Sequence, residues 1–123
     1  MSKTEVKERR SHPRQRTALD AQGTPHGGGS VARMVTRDLS LGGLYCTSTT
    51  DFPEMTRLAV RLLLPANGGG ETVPLDVQAV VVRREKLPAV NGNPRYDLAL
   101  FFTHLSSSSR ERLRRFLGVA PSP

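Results

Sequence analysis

The segment TRLAVRLLL, residues 56–64, alternates in hydropathy with the two-residue period of a β-strand. One face of this strand carries the apolar side chains of Leu58, Val60, Leu62 and Leu64, and the other face carries Arg61. Turn-forming residues follow at 65–70, and residues 72–84 resume the alternation. We therefore predict two strands joined by a hairpin-type loop, and β-structure as the basis of the fold.

Further short apolar runs lie on both sides of this hairpin, at residues 17–22, 31–36, 44–49 and 95–103. Turns that contain glycine, proline or small polar residues separate them, and the longest turn after the hairpin is predicted at 87–94. Several short strands joined in this way are typical of a sandwich or a small barrel.

The end of the chain has a different period. Residues 106–109 are serines, which are favourable at a helix N-cap, and Leu113, Phe116 and Leu117 follow at helical spacing. Gly118 is suited to end the helix, because glycine readily adopts the left-handed backbone conformation. We predict one short amphipathic helix that packs against the β-structure.

Length and polarity set the domain organisation. The chain has 123 residues, which is enough for one domain with one core. Residues 1–16 are polar and basic and have no apolar period, so we predict a flexible arm there. The β-domain with its helix is predicted at 17–118, and a short tail at 119–123.

Charge indicates the class of partner. Eighteen Lys and Arg against eleven Asp and Glu give a net charge of +7, which favours anionic partners such as a nucleotide or an acidic protein surface. No apolar run approaches the ~18 residues of a membrane span, and the first residues lack the apolar stretch of a secretory signal. We therefore expect a cytoplasmic protein without a membrane span.

Residues suited to catalysis or metal binding are scarce. His12, His26 and His104 do not have the spacing of metal ligands. Cys46 lies alone in a predicted strand, where a buried and inert thiol is the usual outcome. No nucleophile has an evident base beside it in the sequence. We expect no catalytic residue, no metal and no cofactor, and hence a protein that is not an enzyme.

Two short motifs have side chains suited to one class of ligand. Arg10 and Arg14 are spaced Arg-x-x-x-Arg in the arm, and DLSLGG, residues 38–43, has the form Asp-x-Ser-x-x-Gly between two predicted strands. Guanidinium groups bind phosphate and the O6 and N7 atoms of guanine. A carboxylate such as Asp38 accepts from the N–H groups of guanine, and Ser40 can donate or accept. Together the motifs predict a site for a guanine nucleotide.

Both motifs, in this order, resemble the two-part signature of PilZ domains, which are bacterial receptors for cyclic di-GMP. The resemblance extends over residues 9–117, where the strand-like segments and the final helix occur in the family's order. It implies a six-stranded antiparallel β-barrel with a short C-terminal α-helix and with the arginine arm on its outer surface. One departure is YDLA at residues 96–99, where the family has a Tyr-Gly-x-Gly-like pattern.

The resemblance also assigns ligand contacts. It implies that arginines of the arm hold guanine and phosphate, that Asp38 and Ser40 read a guanine edge, and that Arg9 can stack on a further guanine. The motif glycines allow close approach, since they have no Cβ. The implied cyclic di-GMP site therefore consists of Arg9, Arg10, Arg14, Asp38, Ser40, Gly42 and Gly43.

The leading hypothesis is a non-enzymatic receptor in which the nucleotide orders the arm onto the barrel and creates a surface for an unidentified downstream protein. An alternative is a nucleotide-independent protein-interaction module that uses the same barrel. Non-specific nucleic-acid binding is a third hypothesis and is disfavoured, because the chain has few aromatic residues on which bases could stack. The sequence is compatible with a monomer or a homodimer.

Overall fold

The computed structural model describes residues 15–16, 18–65 and 70–118 of the chain. Within these residues there are seven β-strands and one α-helix. The strands are β1 (Gln15–Arg16), β2 (Asp20–Pro25), β3 (Ala32–Leu39), β4 (Gly43–Ser48), β5 (Arg57–Pro65), β6 (Thr72–Val90) and β7 (Asn93–His104), and the helix α1 is Ser107–Leu117.

The six longer strands form a closed antiparallel barrel. β2 pairs with β3 and β5, and β6 pairs with β5 and β7. β4 closes the ring, because it pairs with both β7 and β3. The two-residue β1 pairs with the end of β3. The structure confirms the six-stranded barrel with a short C-terminal helix that the resemblance implied.

Alternation along the strands builds the interior of the barrel. In β5 the residues predicted to share a face are buried, whereas Arg61 is exposed and pairs with Asp76 of β6 at 2.8 Å. Thr36 is a buried polar residue, and its hydroxyl donates to the backbone oxygen of Leu19 at 2.6 Å. The largest fully buried apolar side chains are Leu39, Leu44, Leu58, Leu62, Leu75, Leu98 and Leu113.

The hairpin between β6 and β7 is longer than the sequence predicts, and its turn is tighter. A turn occurs within the predicted range 87–94, but the predicted bounds were wrong, because β6 continues to Val90 and the turn consists only of Asn91 and Gly92. Both residues have positive φ angles, 52° and 77°, as a two-residue type I′ turn requires. Pro88 does not end the strand, because it lies at an irregularity of the β6–β7 ladder, where a backbone donor is not needed.

The base of this hairpin is anchored to the loop that precedes β5. Arg84 of β6 forms two hydrogen bonds with the carboxylate of Asp51, and its guanidinium lies 5.6 Å from the centre of the Tyr96 ring. The Arg84 side chain lowers the pKa of Asp51, chiefly through these hydrogen bonds. A charge-assisted contact therefore joins two segments that are distant in sequence.

Helix α1 has the ends that the sequence predicts. The hydroxyl of Ser106 accepts from the backbone N–H of Ser109 at 3.1 Å, and Gly118 ends the helix with a φ of 70°. Leu113 is fully buried in the core, and Phe116 and Leu117 pack against it. In the part of the chain that the structure describes, no helix is long and apolar enough to cross a membrane.

Polar contacts also hold α1 against β6. Arg112 donates to the backbone oxygens of Pro74 at 3.0 Å and of Val73 at 3.3 Å. Both carbonyls belong to the first residues of β6, before Gln78, where the pairing with β7 ends. The helix therefore lies against the part of β6 that β7 does not reach.

Candidate ligand-binding site

The Asp-x-Ser-x-x-Gly motif forms the end of β3, a tight turn and the start of β4. Ser40 is only 1% exposed, and its hydroxyl accepts from the backbone N–H groups of Gly42 at 3.1 Å and Gly43 at 3.3 Å. The N–H of Ser40 donates to the carbonyl oxygen of Gly43 at 2.9 Å. Ser40 therefore holds the shape of the turn, and the guanine contact assigned to it stays a prediction.

Gly43 joins the turn to the barrel. A Cβ atom at this position would collide with the carbonyl oxygen of Leu100 and would lie 3.3 Å from the Cα of Phe101, both on β7. The close approach of β4 to β7 therefore requires glycine here. The carbonyl oxygen of Gly42 accepts from the backbone N–H of Phe102 at 2.9 Å, so a hydrogen bond also ties the turn to β7.

Asp38 lies where three strands meet. It is opposite Arg16 of β1 and opposite Tyr45 of β4, and the register of β3 against β4 shifts between Thr36 and Asp38. Such an irregularity can re-aim a side chain near a binding site. The last two residues of the predicted arm therefore lie beside the first residue of the turn motif.

The predicted arginine contacts, Arg9, Arg10 and Arg14, lie outside the residues that the structure describes. Arg14 directly precedes Gln15, and Gln15 pairs with Leu39. Of the predicted site, the structure thus brings the residues at 38–43 together in one turn. It also brings the strand that follows the arginine motif to the same place.

A row of residues on the outer face of the barrel continues from Asp38. Asp38 is opposite Tyr45, Tyr45 is opposite Ala99, and Ala99 is opposite Arg83. Residues directly opposite each other in a sheet have their side chains on the same face. A cleft of about 120 Å³ lies here, lined in part by Tyr45, Arg83 and Asp97. Sequence reasoning missed these residues, because only the strand register shows that they adjoin Asp38.

Charged and polar groups line one side of this cleft, and Cys46, whose thiol is inert, also lines it. Arg37 is 3.4 Å from a carboxylate oxygen of Asp97, and the hydroxyl of Thr47 donates to the same carboxylate at 3.2 Å. Burial, with a smaller effect of Asp97, raises the pKa of the Cys46 thiol to about 12. The thiol therefore stays protonated near neutral pH and is buried, as the sequence predicts.

Comparison with known sequences identifies the family. A sequence profile of the PilZ domain matches residues 8–118, which include both motifs and all the strands of the barrel. The chain belongs to the PilZ domain family. A search of curated proteins gave no significant match to this PilZ domain.

Solved structures share the fold of this PilZ domain. The Bacillus subtilis inhibitor of motility, MotI, matches with a TM-score of 0.67 and 21% identity. The match covers 89% of this chain and 52% of the MotI chain. The PilZ domain of YcgR from Escherichia coli, solved with c-di-GMP, matches with a TM-score of 0.66 and 21% identity over 89% of both chains. The K. pneumonia MrkH–c-di-GMP complex has a TM-score of 0.64 and 16% identity over 88% of this chain and 50% of the other. At these identities the likeness establishes the fold.

Proposed function

We propose that this PilZ domain is a cyclic di-GMP receptor without catalytic activity of its own. The nucleotide binds between the turn at residues 38–43 and the arginines that precede β1. The observation that carries the proposal is the pairing of Gln15–Arg16 with Leu39 and Asp38, since it leads the chain from the arginine motif to the turn. The YcgR and MrkH structures, which share the fold and were solved with c-di-GMP, support the choice of ligand.

The residue types of the two motifs match the chemical groups of this ligand. Cyclic di-GMP carries anionic phosphodiesters and guanine bases. Arg10 and Arg14 donate to phosphate oxygens and to guanine O6 and N7, and the carboxylate of Asp38 accepts from the opposite guanine edge. The proposal also assigns to Arg9 a stacking contact with a further guanine. The net charge of +7 favours the approach of an anion.

In this proposal the turn is a preorganised surface against which the ligand binds. The Ser40 hydroxyl holds two backbone N–H groups of the turn, and the backbone of Gly42 is tied to β7. Gly43 allows the close approach of the turn to β7, because a Cβ atom there would collide with the carbonyl oxygen of Leu100. A preorganised site of this kind binds more tightly, because less conformational entropy is lost on binding.

Isothermal titration of the purified chain with cyclic di-GMP tests the proposal. We expect saturable binding that Arg14→Ala and Arg10→Ala each weaken about tenfold or more, because a hydrogen bond to a charged group contributes roughly 1.5–3 kcal/mol. Arg110→Ala is the matched control, since it removes the same charge from an exposed position on α1. We expect this variant to bind as the wild type does.

The proposal fails if the wild-type chain releases no heat and shows no competition at roughly tens of micromolar ligand. It also fails if Arg110→Ala weakens binding as much as Arg14→Ala, because the arginines would then act only through net charge. Absence of binding would favour the nucleotide-independent interaction module.

The consequence of binding is the second part of the proposal. Ligand phosphates neutralise the arginines and order the arm against the turn, which presents arm and nucleotide together as a surface for a downstream protein. The ligand can shift this equilibrium only by its greater affinity for the closed arrangement. β1 supports this route, because it already pairs two residues of the predicted arm with β3.

A further inference from the structure

Phe101 is a large apolar side chain exposed on the outer face of β7. Its neighbours Leu100 and Phe102 are buried, whereas Phe101 is 54% exposed. The other three of the chain's four phenylalanines are engaged in packing: Phe52 and Phe102 are buried, and Phe116 packs against the core. Phe101 is therefore the phenylalanine whose ring is available to a ligand.

The position of Phe101 connects it to the candidate site. It is directly opposite Gly43 in the strand register, and its Cα is 3.3 Å from the place where a Gly43 Cβ would be. Because Gly43 is the first residue of β4, Phe101 lies directly beside the end of the turn. On its other side Phe101 is opposite Val80, which is half-buried.

We infer that Phe101 is a stacking platform for one purine base of the nucleotide held at the turn. The inference rests on the proposed function and extends the binding site from the turn and the arginines to β7. An aromatic ring stacks on the flat face of any base, and the ring of Phe101 is exposed directly beside the residue that ends the turn. Polar edges of the base then face the turn, where Asp38 lies.

Substitution of Phe101 tests the inference by titration with cyclic di-GMP. We expect Phe101→Ala to weaken binding about fivefold or more, because base–aromatic stacking contributes at least that much. Phe101→Trp retains the platform, so its affinity stays within about twofold of the wild type. An exposed side chain can be replaced without loss of the fold, and circular dichroism of both variants checks this.

Fluorescence gives a second readout. The natural chain has no tryptophan, so Phe101→Trp introduces a single emitter at the proposed platform. We expect saturating cyclic di-GMP to quench its emission, because a stacked guanine lies on the indole ring. Val90→Trp is the control, since Val90 is 47% exposed near the tip of the β6–β7 hairpin, and its emission should not change.

The outcomes separate this inference from the proposed function. If the wild type binds cyclic di-GMP but Phe101→Ala binds equally well and Phe101→Trp is not quenched, the platform is excluded and the receptor proposal stands. If Phe101→Ala loses a captured protein but not the nucleotide, the ring belongs to a protein contact, and the inference is likewise overturned. If the wild type binds no nucleotide, both proposals fail.

Discussion

Gly43 shows that a residue of a binding motif can serve the packing of the barrel. Its missing side chain is required by the carbonyl oxygen of Leu100, which lies on the neighbouring strand and cannot move without distorting β7. The same close approach of the two strands places Phe101 directly beside the turn. One glycine thus contributes both to the closure of the barrel and to the short distance between the turn and the proposed stacking platform.

Gly43→Ala should therefore destabilise the fold. We expect the free energy of unfolding to fall by about 1–3 kcal/mol, because the added methyl group overpacks a contact between backbones. Urea unfolding followed by circular dichroism measures the change. Gly70→Ala is the control, since nothing lies within 4 Å of its Cβ position, and it should change stability by no more than about 0.5 kcal/mol. Equal stabilities of the two variants would contradict this packing role.

Residue spacing predicted part of the site, and only the register reveals the rest. Asp38, Ser40 and the glycines are close in sequence, so the sequence alone indicates that they share a turn. The hydroxyl of Ser40 also has a role within the turn, because it accepts from the backbone N–H groups of Gly42 and Gly43. Phe101 could not be predicted, because its place beside Gly43 depends on the pairing of strands that are distant in sequence.

At the scale of elements, α1 packs against the barrel and belongs to the same domain. The sequence predicts that the helix packs through its apolar side chains, and the structure adds a polar contact, because Arg112 donates to two carbonyls at the start of β6. Those contacts depend on the position along β6 at which the pairing with β7 ends. The hydropathy pattern of the sequence does not indicate this position. Strand alternation, by contrast, was predicted well: β5 and the apolar face of β6 from Leu75 to Val81 are buried as expected.

Arg112→Ala should loosen the helix from the barrel. We expect a loss of about 1–2 kcal/mol in the free energy of unfolding, because two hydrogen bonds from a charged donor are removed at a partly exposed site. Arg115→Ala is the matched control: its side chain is 72% exposed, and its ion pair with Glu111 is of a kind that contributes little. Thermal unfolding of both variants measures the difference, and equal melting temperatures would show that the Arg112 contacts do not stabilise the fold.

At the scale of the whole molecule, the pairing of β1 with β3 places Gln15 and Arg16 beside a turn that follows them by more than twenty residues. The short strands of the sequence predict a sandwich or a small barrel, but not that β1 pairs with β3. This pairing makes the proposed coupling between arm and ligand a property of the entire domain. The described residues leave the outer face beside the turn accessible, as Phe101 shows.

Trypsin cleavage in the arm tests the proposed coupling. We expect saturating cyclic di-GMP to slow cleavage after Arg10 and Arg14 by about fivefold or more, because an ordered segment must open before a protease can cut it. Mass spectrometry of the fragments gives the rates. Arg14→Ala, which we expect to bind about tenfold more weakly, should need a correspondingly higher nucleotide concentration for the same slowing of cleavage after Arg10. Unchanged cleavage of the wild type under conditions where titration shows binding would separate recognition from arm ordering.

The two-residue turn at Asn91 and Gly92 is a suitable site for the insertion of a foreign segment. It lies nine residues from Phe101, or about 30 Å at ~3.3 Å per residue, while Arg84 and Asp51 anchor the strands behind it. Loop tips of this kind accept inserted segments without disturbing the domain that carries them. A peptide tag or a fluorescent protein spliced between these two residues would give a handle for surface immobilisation or a reporter, and both ends of the natural chain would stay untouched.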